Sequence, residues 1–299
     1  AEPTDLAVPP ALLARSRFEP SALTWSPRLD RFVIASDDTG FENQNEHAPW
    51  LFTMDLRGRV DPEPLIVAGV DALNDIESIA PAPDGGLYVL ASQSKSRKGK
   101  RSPARQRLVH VALAEGSARA AAVVQLARLL DGAGREGQAA LGLAGTDDLD
   151  IEGMTVTREG GLLLGLKAPL GPRGALVWHL KQPEALLASG ALAAGELTQW
   201  AQIPLTVTAD GAPVGGGISE LLELADGTWM ISATASGLDP QTQDGALFHL
   251  TEKTAPPRRV RSFPGLKPEG LAQTGAALVV VFDTGAAPPK WMEQRWPEP

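Results

Sequence analysis

One pattern occurs five times in this chain, and it limits the folds available. Each copy has an apolar run, a turn, and a second, longer apolar run that stops on a polar residue. The first runs open at positions 22, 77, 152, 220 and 269. The second runs end at Asp37, Ser92, Lys167, Thr234 and Asp283, an offset of 14 or 15 each time. Four copies open on a carboxylate (Glu77, Glu152, Glu220 and Glu269), while the copy beginning at Ala22 does not. The turns are Gly-bearing in four copies, for example Asp84-Gly85-Gly86 and Glu159-Gly160-Gly161, and Pro27-Arg28-Leu29-Asp30 serves in the first. Glycine supplies the positive φ of a tight hairpin, so each pair reads as two antiparallel strands. The second strand is apolar on both faces (Leu87-Tyr88-Val89-Leu90-Ala91 is typical), as a sheet sandwiched between neighbouring sheets requires.

Third strands follow at 50–54, 108–111, 175–180 and 246–250, with 291–294 in the last copy. Looser fourth strands follow at 64–67, 121–126, 199–203 and 258–261. Four-stranded sheets repeated at this spacing predict an all-β fold, a β-propeller of five blades, forming a single domain over residues 1–299. Six blades is the alternative if residues 113–148 hide a degenerate one; the segment 131–138 reads instead as loop or short helix. The insert 183–196 is Ala/Leu-rich and is expected to form a short helix. The last copy lacks a fourth strand. The N-terminal run Ala11-Leu12-Leu13-Ala14-Arg15 is expected to supply it and close the ring.

Composition narrows the function. The net charge of −9 argues against nucleic acid or an anionic membrane surface as partner. The absence of cysteine excludes disulfides, thiolate metal sites and a cysteine nucleophile. No apolar run approaches the ~20 residues of a membrane span. The start Ala1-Glu2-Pro3 matches a mature chain after signal-peptide removal, which predicts a periplasmic or secreted protein; a shortened chain would look the same.

Strand one leaves its carboxylate and strand two returns, so both ends lie on one face of the disc. That face gathers Asp75, Glu77, Asp150, Glu152, Glu220, Glu269, Asp37 and Asp283, together with the long loops. Carboxylates crowded together need a hard cation, basic partners or shared protons. Oxygen-only ligands suit Ca²⁺ or Mg²⁺, and Asp75, Glu77, Asp150, Glu152, Glu220 and Glu269 are the candidate set. The alternative is structural: these glutamates cap backbone N–H groups of adjoining blades and pair with Lys167. The loop 94–107 carries seven basic residues. Arg97 and Arg107 are candidates to grip a small anionic ligand, alongside Asp37 and Asp283, or the loop is a solvated counterweight to the acidic rim. His110, His179 and His249 fall in third strands and read as packing or interblade hydrogen-bonding residues; His47 stands in a loop on the acidic face. No Gly-x-Ser-x-Gly elbow, phosphate loop or His-Glu-x-x-His occurs.

Asp150-Ile151-Glu152-Gly153-Met154, followed by Gly165-Leu166-Lys167-Ala168-Pro169 and Gly174-Ala175-Leu176-Val177, resembles an uncharacterised bacterial domain-of-unknown-function family of exported propellers. Asp75-Ile76-Glu77 with Ala91-Ser92-Gln93-Ser94 is similar to that family's preceding blade, and Lys167 stands where Arg is usual. The group is distantly similar to phytase-like and esterase-like propellers. The resemblance implies metal-dependent hydrolysis of a phosphoester, with Glu77, Glu152 and Lys167 as catalytic candidates. A non-catalytic propeller that binds a ligand or a protein is the rival reading.

Overall fold

The computed structural model describes residues 1–14, 18–36, 50–114, 116–235, 243–285 and 288–297. Five sheets form a ring. Their inner strands are Pro20–Ser26, Ile76–Pro81, Asp150–Val156, Gly217–Glu223 and Lys267–Thr274. Each packs beside the inner strand of the next blade, and the last packs beside the first. The apolar core is accordingly divided into five clusters, one for each seam between blades. Alternation along the second strands explains their uniform apolarity. Leu162 and Leu164 face the second blade, whereas Leu163 faces the fourth. The expected turns also form, with φ of 84 at Gly85, 87 at Gly160 and 86 at Gly227.

Residues 126–132 and 134–140 form two short helices packed on the seam of blades two and three, so the six-blade alternative falls. The insert at 183–189 is helical, as expected. Three details differ from the sequence reading. Thr4–Asp5, not the run 11–15, supplies the fourth strand of the last blade and pairs with Lys290–Arg295. Pro10–Leu13 is instead a single helical turn with Pro at its start, and its Leu12 fills the seam of blades five and one. The first blade also lacks a regular fourth strand. Isolated bridges at Leu65 and Val60, with Asp61 bonded to Thr53, join that stretch to Leu51–Met54, and Val67–Ala68 pairs in parallel with the second blade's outer strand. Pro62 and Pro64 carry no N–H and interrupt any ladder there. The stretch 206–217, one of the long loops expected on the acidic face, contains a hairpin, Thr206–Ala209 with Ala212–Gly215, that extends the fourth blade.

The strand-three histidines contact the turns of their own blades, and His249 also packs edge-on against Trp296 of the fifth blade, with ring centroids 5.0 Å apart. His110 Nε2 lies 3.1 Å from Asp84 Oδ2, and His249 Nε2 lies 2.8 Å from Thr228 Oγ1; both partners belong to the inner hairpin turn. His179 packs against the corresponding Gly161, whose hydrogen a Cβ could not replace without meeting the imidazole at 2.5 Å. His47 lies outside the described residues. Among the described residues, no helix is long and apolar enough to cross a membrane.

Candidate functional site

The five inner strands share one irregularity. Each has a single unpaired residue where it meets its second strand: the register skips Ser21, Glu77, Glu152, Ser219 and Glu269. A bulge of this kind re-aims a side chain. Repeated around the ring, it directs five equivalent side chains onto the axis. The sequence phase was right in three blades and one residue late in two, at 22 and 220, because a bulge adds a residue that alternation does not mark.

Glu77, Glu152 and Glu269 each place a carboxylate oxygen within 4.8 Å of the others. With Ser21, Glu19, Lys267 and Asp283 they line a cavity of about 100 Å³. Two lysines compensate part of the charge. Lys167 Nζ is 2.8 Å from Glu152 Oε2 and donates to Ser219 Oγ at 3.1 Å; that hydroxyl meets Thr234 Oγ1 at 2.9 Å. Lys267 Nζ is 2.8 Å from Glu269 Oε1 and 3.8 Å from Asp283. Lys267 holds the position that Asp75 and Asp150 hold in their blades, one place before the residue that precedes the bulge.

The pKa shifts of the acids and of the lysines have different causes. Burial raises the Glu152 carboxyl; Lys167 opposes the rise and Glu269 adds to it. Asp150 rises well above the usual carboxylate range, through burial first and the Glu152 charge second. Burial works against protonation of Lys167, yet its pKa is raised because Glu152 and Glu269 outweigh burial. Lys267 is raised by Glu269 above all. An isolated ion pair would lower its acid and raise its base. Here burial outweighs the lysines and carries the acids up, while the neighbouring glutamates carry the lysines up.

The structure separates the other candidates from this trio. Glu220 points one layer deeper and is buried. Both its oxygens lie 2.9 Å from Ser78 Oγ, and its Oε1 accepts the N–H groups of Met154 at 3.0 Å and Leu221 at 2.9 Å. It caps the backbone of the neighbouring blade, which is the structural role weighed above. Asp75 is held by Arg105, whose guanidinium also donates to Ser94 O at 3.1 Å. Arg107 pairs with Asp71 at 2.5 Å and donates to the Ala72 carbonyl, off the axis. Arg97 is exposed on a turn, and no described contact joins it to the trio. Asp37 lies outside the described residues. Most of the basic loop is fastened down: Lys95 to Asp147 at 2.7 Å, Arg101 to the Thr146 carbonyl, Arg105 to Asp75.

Lys267, Arg105, Glu19 and Ser21 are site residues that the sequence reading missed. Lys267 and Ser21 were detectable once the bulge position was used as phase. Arg105 was not, because its reach depends on how the loop folds back.

These features define a five-bladed propeller whose axial mouth is lined by crowded carboxylates and the half-buried Lys267, with Lys167 buried behind Glu152. The family described as "Phytase-like: Esterase-like activity of phytase" matches residues 19–257, and the chain belongs to it. Among curated proteins, no sequence matches. Solved structures resemble the chain at low identity. A thermostable family-43 glycoside hydrolase aligns at 9% identity with a TM-score of 0.52, over 93% of this chain and 90% of its own. A glycosyl hydrolase from Bacteroides ovatus aligns at 12% with a TM-score of 0.49, over 95% and 86%. At such identity the family-43 likeness shows the fold alone.

Proposed function

We propose that the axial mouth hydrolyses an anionic, phosphoester-like ester with the help of a Ca²⁺ ion, Mg²⁺ being the second choice, held by Glu77, Glu152 and Glu269. The observation that carries this reading is the approach of those three glutamates within 4.8 Å of one another. Ca²⁺ takes oxygen ligands at ~2.3–2.6 Å, so one ion can reach oxygens spaced this way. The donors are all oxygen, which suits a hard cation. The ion would polarise an ester oxygen or a water. The chain's own residues do the rest. Lys167 and Lys267 offer ammonium groups to the anionic group of the substrate. A cavity of about 100 Å³ admits one small group rather than a whole substrate, so the ester enters end-on. A periplasmic or secreted setting fits this proposal, because extracellular Ca²⁺ modules work at ~0.1–1 mM ion.

One observation favours a second reading. Glu152 and Glu269 already have lysine partners at 2.8 Å, so the ring can stand as the scaffold of a binding propeller. Turnover of a panel of phospho- and carboxyl esters, with and without Ca²⁺, separates the two. The enzyme reading expects Ca²⁺-dependent turnover that Glu152→Gln abolishes while the fold, judged by circular dichroism, stays intact. No turnover on the whole panel, with no Ca²⁺ effect on melting, leaves the binding reading.

A further inference from the structure

Two insertions that the ring itself does not need meet outside it. The helices Leu126–Gly132 and Gly134–Ala140 follow the second blade, and the segment after the helix Pro183–Ser189 interrupts the third. Between them lie two adjoining cavities of about 590 and 660 Å³ that share Ala133 and Leu192. Each is the size of a small-molecule site, and together they make one elongated groove. Its floor is apolar: Val123 is 39% exposed, Leu129 and Leu192 are half-buried, and Leu141 and Leu197 are buried. Much of the wall is alanine and glycine, including Gly132, Gly190 and Gly195, beside each of which a Cβ would meet nothing within 4 Å. The Ala/Leu-rich composition of these insertions therefore has a physical result: side chains too short to fill the space they border.

The groove is electrostatically asymmetric. The first cavity is bordered by Arg107 and Arg128 and by no acidic side chain. Arg107 holds Asp71, but that carboxylate is 82% exposed and readily displaced, and no described residue takes up Arg128. The second cavity carries Glu136 and ends at Thr198 and Gln199. In a chain of net charge −9, a paired arginine end on an otherwise apolar channel selects for one ligand chemistry.

We infer that this flank groove binds a single-chain amphiphile with a carboxylate head, the head on Arg107 and Arg128 and the aliphatic tail along Val123, Leu129, Leu192 and Leu197. The site is separate from the axial mouth and stands whether or not that mouth is catalytic. Apolar burial supplies the affinity, and the arginines supply head-group sign and direction.

Calorimetric titration with sodium dodecanoate below its micelle concentration tests the inference, with acetate and dodecyltrimethylammonium as controls. Dodecanoate is expected to bind one to one, acetate not at all, and the cationic chain at least about tenfold more weakly. Ala133→Trp fills the shared part of the groove from an exposed helix junction, and Arg128→Glu reverses its charged end. Each is expected to weaken dodecanoate by about tenfold or more, with melting temperature unchanged. Equal binding of the two chains, or dodecanoate binding that survives Ala133→Trp, overturns the proposal. So does a sedimentation mass of a dimer that Ala133→Trp converts to monomer, which would make a second copy the occupant.

Discussion

Glu220→Gln is expected to stabilise the protein at pH 8 and to leave it nearly unchanged at pH 4.5. The Glu220 carboxyl is buried, and burial raises its pKa well above 4.5 despite the N–H groups of Leu221 and Met154 and the Ser78 hydroxyl that favour its charged form. The folded state therefore keeps this proton over a range where the unfolded chain has released it. The stability it lends is complete below the unfolded pKa and is lost as pH rises through the folded one. Each unit of upward shift corresponds to ~1.4 kcal/mol withdrawn at high pH. In a chain of this size that is about 2–3 °C in Tm. Glutamine has the same shape and no charge. Its Oε1 can accept from Met154 and Leu221, and its Nε2 can donate to Ser78, so it keeps the contacts without the pH penalty. Glu220→Leu is the contrasting variant. Ser78 can turn to the Met154 carbonyl at 3.4 Å, but two buried N–H groups lose their acceptor. At ~1–3 kcal/mol each the loss is about 2–6 kcal/mol. Urea unfolding followed by tryptophan fluorescence at pH 4.5, 6 and 8 measures both. A glutamine variant that is less stable than the parent at pH 8, or equal in cost to leucine, refutes the assignment of Glu220 as a neutral backbone cap.

The other predictions concern the mouth, the ring closure and the strand-three histidines. Lys167→Met leaves Glu152 buried without its nearest cation, and should cost about 3–5 kcal/mol by urea unfolding, part of it restored by millimolar Ca²⁺ if the trio binds the ion. Gly58→Ala should cost about 2 kcal/mol or more in thermal unfolding, since φ is +72 and a Cβ would lie 2.1 Å from the Trp291 ring. His249 has its pKa lowered by burial, so stability is present above the unfolded value near 6.5 and falls as pH drops through the folded one. His249→Gln should flatten that acid limb of the stability profile, the opposite limb from the one Glu220 governs.

The blades were legible because alternation works twice in each. Both faces of strand two are buried, so Leu162–Leu166 cannot be confused with a half-solvated strand, and the Gly turns fix where each hairpin reverses. The site was legible to within one residue. Glu77, Glu152 and Glu269 sit where the repeat put them. Glu220 does not, because Ser219 takes the bulge and pushes the acid down a layer. No local signal separates Ser219 from Glu220; only registration against Ser232 and Ala233 does. The hairpin at 206–215 did carry a signal, Asp210-Gly211, both with positive φ as its two-residue turn requires. Thr4–Asp5 is too short to show a period at all. Its strand character comes from the partner it meets and from anchors beyond it: Lys290 on Asp5, and Arg261 on Glu2 and the Ala1 carbonyl.

That closing pair has a consequence for biosynthesis. Asp5 registers with Lys290, so one half of the clasp leaves the ribosome about 285 residues before the other. At ~5–20 residues per second the wait is about 15–60 s. Blades two to four can assemble as they emerge, because every strand they need is close in sequence. The N-terminal strand must remain unpaired, and the seam between blades five and one must stay open, until the strands of the fifth blade have emerged. Over that interval Thr4–Asp5 and the apolar seam residues Leu6 and Phe18 stand without the partners that later meet them, Lys290–Arg295 and Val281. A chaperone acting on the nascent chain would find its most persistent target there.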